Sequence, residues 1–121
     1  MTSETDSEKT QAEIIAEQND IFRASFGADA RVPGRIVATQ GVDAKGGVFM
    51  GRLVAAVQAF DGFGPDNDPH QHHDFGAVEI DGTTVWFKID LYGPDYEFGT
   101  ENPTSTAQTR RVLTLLFPSE Y

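Results

Sequence analysis

The chain predicts one α+β domain: a small antiparallel sheet of about three strands, including a tight hairpin, covered by two or three helices. Three observations lead there. Asp81-Gly82 sits between two alternating apolar/polar runs, the strongest short-range signal of a two-residue hairpin turn. Two other segments carry apolar residues at helical spacing. The 121 residues include nine Phe, three Tyr and one Trp, so a single core can bury about two-thirds of the unfolded surface without staples.

The elements follow in chain order. Residues 1–7 are polar and terminal and read as a disordered tail, with the domain running from 8 to 121. From Glu8 to about Ser25, Ala12, Ile15, Phe22 and Phe26 form one apolar stripe, which Ser7 can cap and Gly27 ends. After a Pro33-Gly34 turn, the β-branched run Arg35–Gln40 is a short strand stopped by Gly41. Phe49, Leu53, Val57 and Phe60 define a second helix over Val48–Phe60. Residues 61–73, rich in Gly, Pro, Asp and Asn, form the longest loop.

The hairpin fixes its own register. Ile80 opposes Thr83, Val78 opposes Val85, and Gly76 opposes Phe87, giving an apolar face. On the mixed face Ala77 opposes Trp86, Phe75 opposes Lys88, and His73 opposes Asp90. Residues 93–104 return to loop. Thr104 to Phe117, capped by a hydroxyl and stopped by Pro118, reads as a last helix that carries Arg110 and Arg111 towards solvent or the acidic loop.

Composition excludes several classes. There is no cysteine, hence no disulfide, thiolate metal site or Cys nucleophile. No apolar run approaches the roughly 18 residues of a membrane span, and the acidic N-terminus is unlike a leader, so a cytoplasmic location is expected. The net charge of −10 is concentrated: residues 61–104 hold ten acids against Lys88 alone. Such a field disfavours direct nucleic-acid binding and favours a basic protein surface.

Several blocks in order resemble one family. They are Gln18-Asn19-Asp20-Ile21-Phe22-Arg23, Phe60-Asp61-Gly62-Phe63, Asp66-Asn67-Asp68-Pro69, His73-Asp74-Phe75-Gly76, Trp86–Tyr92, Thr109–Thr114 and the terminal Glu120-Tyr121. Together they are similar to the bacterial domain-of-unknown-function family 3768, from about Gln18 to Tyr121. The resemblance brings no activity with it. It implies a setting near mobile-element and antirestriction genes, and so a counter-defence role. His70, Gln71 and His72 stand where that family has Tyr, Gly and Glu.

Two chemistries remain in view. The first is a non-catalytic acidic module of antirestriction or anti-CRISPR type that mimics nucleic acid towards a basic partner, such as a nucleic-acid-binding defence complex. Its surface would comprise Asp61, Asp66, Asn67, Asp68, Asp74, Asp95, Glu97 and Glu101. The second is a small hydrolase or transferase with His73 as base, Asp90 as its orienter, Asp74 and Asn67 as positioners and Lys88 as electrostatic stabiliser. His70, His72, His73 and Asp68 are weak metal candidates, because adjacent histidines point to opposite faces of an extended segment. No cofactor fingerprint is present.

Overall fold

The computed structural model describes residues 9–121; the expected tail, the Ser7 cap and the Glu8 start lie outside the described residues. Helix α1 spans Gln11–Ser25 and starts with a capping box. Thr10 Oγ1 accepts from the Glu13 amide at 3.0 Å, and Glu13 Oε1 accepts from the Thr10 amide at 2.8 Å. Phe26 closes it in the left-handed region at φ 51°. Strand β1 (Gly34–Ala38) follows, then a single turn α2 (Gln40–Asp43) capped by Thr39, then α3 (Gly47–Gln58). The hairpin is β2 (Phe75–Ile80) and β3 (Thr83–Tyr92), followed by β4 (Arg110–Leu116) and a 3₁₀ turn over Pro118–Glu120.

The α+β class is as expected, but the last element differs. Arg110–Leu116 is a strand, not a helix, and it lies inside the sheet. The order is β1-β4-β3-β2, with β4 antiparallel to β3 and parallel to β1. The sheet therefore has four strands and is mixed rather than purely antiparallel. Within β4 the buried positions Arg111, Leu113 and Leu115 alternate with half-buried Arg110, Val112 and Thr114, the period of two that a pleated strand requires. Side chains at 111, 113 and 115 face the helices.

The hairpin pairs as expected from Ile80↔Thr83 to Phe75↔Lys88. Asp81 and Gly82 both have positive φ, 51° and 82°, as a type I′ turn demands. One face of the sheet supplies Val85, Phe87, Ile89, Leu113 and Leu115 to a core completed by Phe22 of α1 and by Phe49, Leu53 and Val57 of α3. Fully burying each such side chain contributes roughly 1.5–3 kcal/mol.

Pairing also decides what lies at each end of the sheet. Gly34 pairs with Arg111, Tyr92 with Arg110, and Phe75 with Lys88. The starts of β1, β2 and β4 and the end of β3 thus share one end, opposite the Asp81-Gly82 turn. Both long loops, residues 59–74 and 93–109, emerge there.

Candidate functional site

The first of these loops is built around Asn67 and Asp68. Asn67 Oδ1 accepts from the Gly64 amide at 2.8 Å, and its Nδ2 donates to the Gly62 carbonyl at 3.1 Å. Asp68 is 5% exposed, and its carboxylate accepts from the amides of His72 at 3.0 Å and His73 at 3.2 Å. Those bonds hold Gln71 and His73 at φ 59° and 56°, a region that non-glycine residues seldom occupy without support. Neither Asn67 nor Asp68 is therefore a free surface group. Each secures its own loop.

The backbone turn at His73 changes its partner. The hairpin pairing extends to the Ile89 amide donating to the Asp74 carbonyl at 2.8 Å. At His73 the chain leaves the extended region, and the imidazole meets α1. Its Nδ1 lies 2.9 Å from Asp20 Oδ1 and 3.1 Å from Oδ2, while Nε2 stands 3.9 Å from Asp68 Oδ2. The ring stacks on Phe63 at 4.1 Å with only 2° between planes. Asp90, expected to orient His73, instead accepts from Lys88 Nζ at 2.9 Å, a bond that raises the Lys88 pKa.

Arg23, buried at 6% exposure, tightens the same corner. It donates to Asp20 at 2.9 Å and to the Phe60 carbonyl at 3.1 Å, and its guanidinium lies 5.1 Å from the Phe63 ring centre. Between α1 and this loop opens a cleft of about 730 Å³. Its walls carry Glu13, Glu17, Asp20 and Asp68, with Phe63, Pro65 and Pro69 as apolar surface and Lys9 and His73 as basic groups. Lys9 pairs with Glu17 at 2.9 Å. His70 is exposed and His72 is half-buried 3.9 Å from Asp74. Among the described residues no group of three or more His, Asp and Glu has a metal-holding arrangement.

Beneath the cleft lies a polar hub. Arg111, expected at the surface of a helix, is fully buried. It donates through Nε to Asn19 Oδ1 at 2.6 Å and through Nη2 to Gln18 Oε1 at 3.0 Å. Asn19 then donates to the His72 carbonyl, and Gln18 to the Thr104 carbonyl, both at 2.9 Å. One residue of β4 thereby grips both long loops through α1. Burial pushes the Arg111 pKa down to about 10, so it keeps its proton at neutral pH.

The remaining acids divide by position. Asp61 and Asp66 on the first loop and Asp95, Glu97 and Glu101 on the second are exposed. Asp95 also accepts from the Glu97 amide at 3.0 Å. Asp74 is half-buried, and burial, followed by the neighbouring Asp68, raises its pKa. Asp20, Phe63, Glu13 and Glu17 were absent from the expected site. Asn19 offered a clue, since it interrupts the apolar stripe formed by Ile15 and Phe22.

The fold and cleft define a small α+β domain with an acid-bearing end. The chain belongs to the family described as protein of unknown function (DUF3768), whose model matches residues 38–120. Helix α1 lies before the matched span. No curated protein and no solved structure matches the chain. Among the described residues no helix is long and apolar enough to cross a membrane.

Proposed function

We propose that this protein is a small acidic binding module whose loop end docks onto a basic protein surface. The supporting observation is the emergence of both acid-bearing loops from one end of the sheet, where α1 and Arg111 fix them together. Fixed charges bind a complementary surface with less ordering cost than mobile ones. The resemblance to a family met near mobile elements makes a nucleic-acid-binding defence complex the partner class, with carboxylates standing where phosphates would bind. A cytoplasmic location fits that role.

Exposed carboxylates steer association and lose reach beyond about 8–10 Å at physiological ionic strength. Reversing Asp66, Asp95 and Glu101 to Lys is the direct test, because all three are exposed and Asp68 is not. A partner retained from host lysate at low salt should be released at high salt and lost in this variant, with the circular dichroism unchanged. Equal retention by the folded variant rules the reading out.

A second reading rests on the Asp20–His73 contact in the cleft between α1 and the first loop. A carboxylate on Nδ1 orients an imidazole for general-base work in a hydrolase or transferase. It ranks second because Glu13, Glu17, Asp20 and Asp68 make the lining of the cleft mainly acidic, which opposes a developing oxyanion. His73→Ala in a plasmid- or phage-survival assay separates the two: loss of protection by this variant, with wild-type partner retention, would favour catalysis.

A further inference from the structure

We infer that two copies of this chain associate reversibly through the sheet face that the helices leave open, with the strands of the two sheets crossing near a right angle. This goes beyond the loop-end reading and does not depend on it.

Helices α1 and α3 pack on the side of Phe87, Ile89 and Leu113. By strand alternation and register, Arg35, Val37, Phe75, Glu79, Trp86 and Val112 point the other way. The centre of that side is apolar. Trp86 packs edge-on against Phe75 at 5.3 Å and Tyr121 at 5.8 Å, yet all three keep contact with solvent, and Val37 is 42% exposed. Aromatic and β-branched surface on an open sheet face is stabilised by burial against another layer.

Charge identifies that layer as a second copy. Arg35 lies at the loop end of edge strand β1, and Glu79 lies at the turn end of the opposite edge strand β2. They occupy diagonal corners of the face. Both are exposed, and among the described residues neither has an ion pair or a side-chain hydrogen bond. The Arg35 guanidinium rests on the Tyr96 ring at 3.7 Å, which positions its N–H groups without satisfying them. Within one copy the whole sheet separates Arg35 from Glu79. A twofold axis in the interface, along the other diagonal, brings each copy's Arg35 corner over the partner's Glu79, twice, as an isologous contact requires. Near-orthogonal strands are one of the two ways in which sheets pack face to face.

Between the corners Lys88 already pairs with Asp90 at 2.9 Å, and Arg110 at the rim bonds loop carbonyls. The cations of this face thus offset its acids, although the molecule carries a net −10. Two copies meet less repulsion here than at the acid-bearing loops. Four strands about 4.8 Å apart and roughly 20 Å long give a patch on the order of 400 Å² in plan. That is about half of what each partner contributes to a standard interface, so the dissociation constant is micromolar.

The test is sedimentation of the full chain from about 5 to 500 µM, the range that this area implies, with tryptophan emission read in parallel. Trp86 is the only tryptophan, so its emission reports this face directly. The mass should rise from 13.2 kDa towards twice that value, and the emission should move to the blue over the same concentrations. Arg35→Glu and Glu79→Arg each set like charges against one another and should weaken self-association about tenfold. Mixed in equal amounts, the two variants should associate as tightly as the wild type, because each supplies the charge that the other lacks. Circular dichroism checks the fold. If a reversal disturbs its strand, Glu79→Gln should show the same loss in smaller measure. The Asp66, Asp95 and Glu101 reversals should leave the dimer intact, which keeps this result separate from the loop-end reading. A monomer throughout the range, a dimer with unchanged Trp86 emission, or no recovery on mixing overturns the proposal. So does a dimer that survives both reversals but is lost in Ala77→Pro, which would place the copies edge to edge along β2.

Discussion

Arg111 holds a full positive charge in the interior with two neutral amides for company and with Nη1 lacking a partner among the described residues. Such a group is not there for its own stability, since an apolar side chain of similar volume is often as good in the core. Its value lies in the acceptors it satisfies. Arg111→Met should strand the Asn19 and Gln18 oxygens and lower unfolding free energy by about 2–4 kcal/mol. Arg111→Lys should recover little, because an ammonium does not reproduce the guanidinium fork. Chemical denaturation measures both, and a Lys variant as stable as wild type would show that charge alone suffices.

Asp74 gives the opposite sign. Its pKa is raised by burial and then by the nearby Asp68, so the folded state takes up a proton more readily than the unfolded chain does. That preference favours folding below the ordinary carboxyl value of about 3.9 and disappears as pH rises through the folded value. At neutral pH the ionised group is a small burden, discounted because 41% of the side chain still meets solvent. Asp74→Asn should therefore stabilise by only a few tenths of a kcal/mol at pH 7, allowing for screening. The gain should shrink or reverse at pH 3, measured as the difference in denaturation midpoints.

At the scale of elements, contact between β1 and β4 depends on Gly34. A Cβ there would run into the Arg111 carbonyl oxygen, and would also come within 2.6 Å of the Phe22 ring. A main-chain oxygen inside a sheet has nowhere to move. At Gly76 the obstacles are ring edges, with Phe87 at 2.5 Å and Phe60 at 2.8 Å. Aromatic rings shift more cheaply than a strand does. Gly76→Ala should cost about 1–3 kcal/mol, and Gly34→Ala should cost more and loosen β1 amides in hydrogen exchange. Equal destabilisation of the two variants would mean that β1 yields easily.

The same elements show which parts of the fold were readable. The hairpin declared itself through Asp81-Gly82 and a clean alternation, and its register followed residue by residue. Strand β4 did not. Its inward positions are Arg111, Leu113 and Leu115, and an arginine at a core position disguises the period of two. What remained visible was a leucine-rich run before a proline, which reads equally well as a helix end. The site failed for a related reason. A continuing strand places His73 opposite Asp90, whereas Asp68 turns the backbone out of the strand one residue early. Asp20, 53 residues away, becomes the partner. Local patterns carry strand register well, but a buried carboxylate bending a loop leaves no periodic trace.

Across the whole molecule, charge and architecture act against each other. A net charge of −10 sits on a chain that directs five exposed acids into two loops at one end. Repulsion between these loops works to part them, while the Arg111, Gln18 and Asn19 hub holds both to α1. Among the described residues a buried cation thus ties both loops to α1, with the His73–Asp20 contact as a second tie on the first loop. At 0.01 M salt charges reach across roughly 30 Å, and at 0.1 M across roughly 10 Å, so the repulsion is adjustable. Raising salt from 10 to 500 mM, about a sevenfold contraction of that reach, should therefore raise the unfolding midpoint of the wild type. The Asp66, Asp95 and Glu101 reversals should start higher at low salt and respond little to added salt. Sodium sulfate is unsuitable for this comparison, because it strengthens apolar burial in both proteins; sodium chloride isolates screening. If the wild type and the reversal variant respond alike, the loop acids do not form a common field, and the binding surface proposed for this end loses its electrostatic basis.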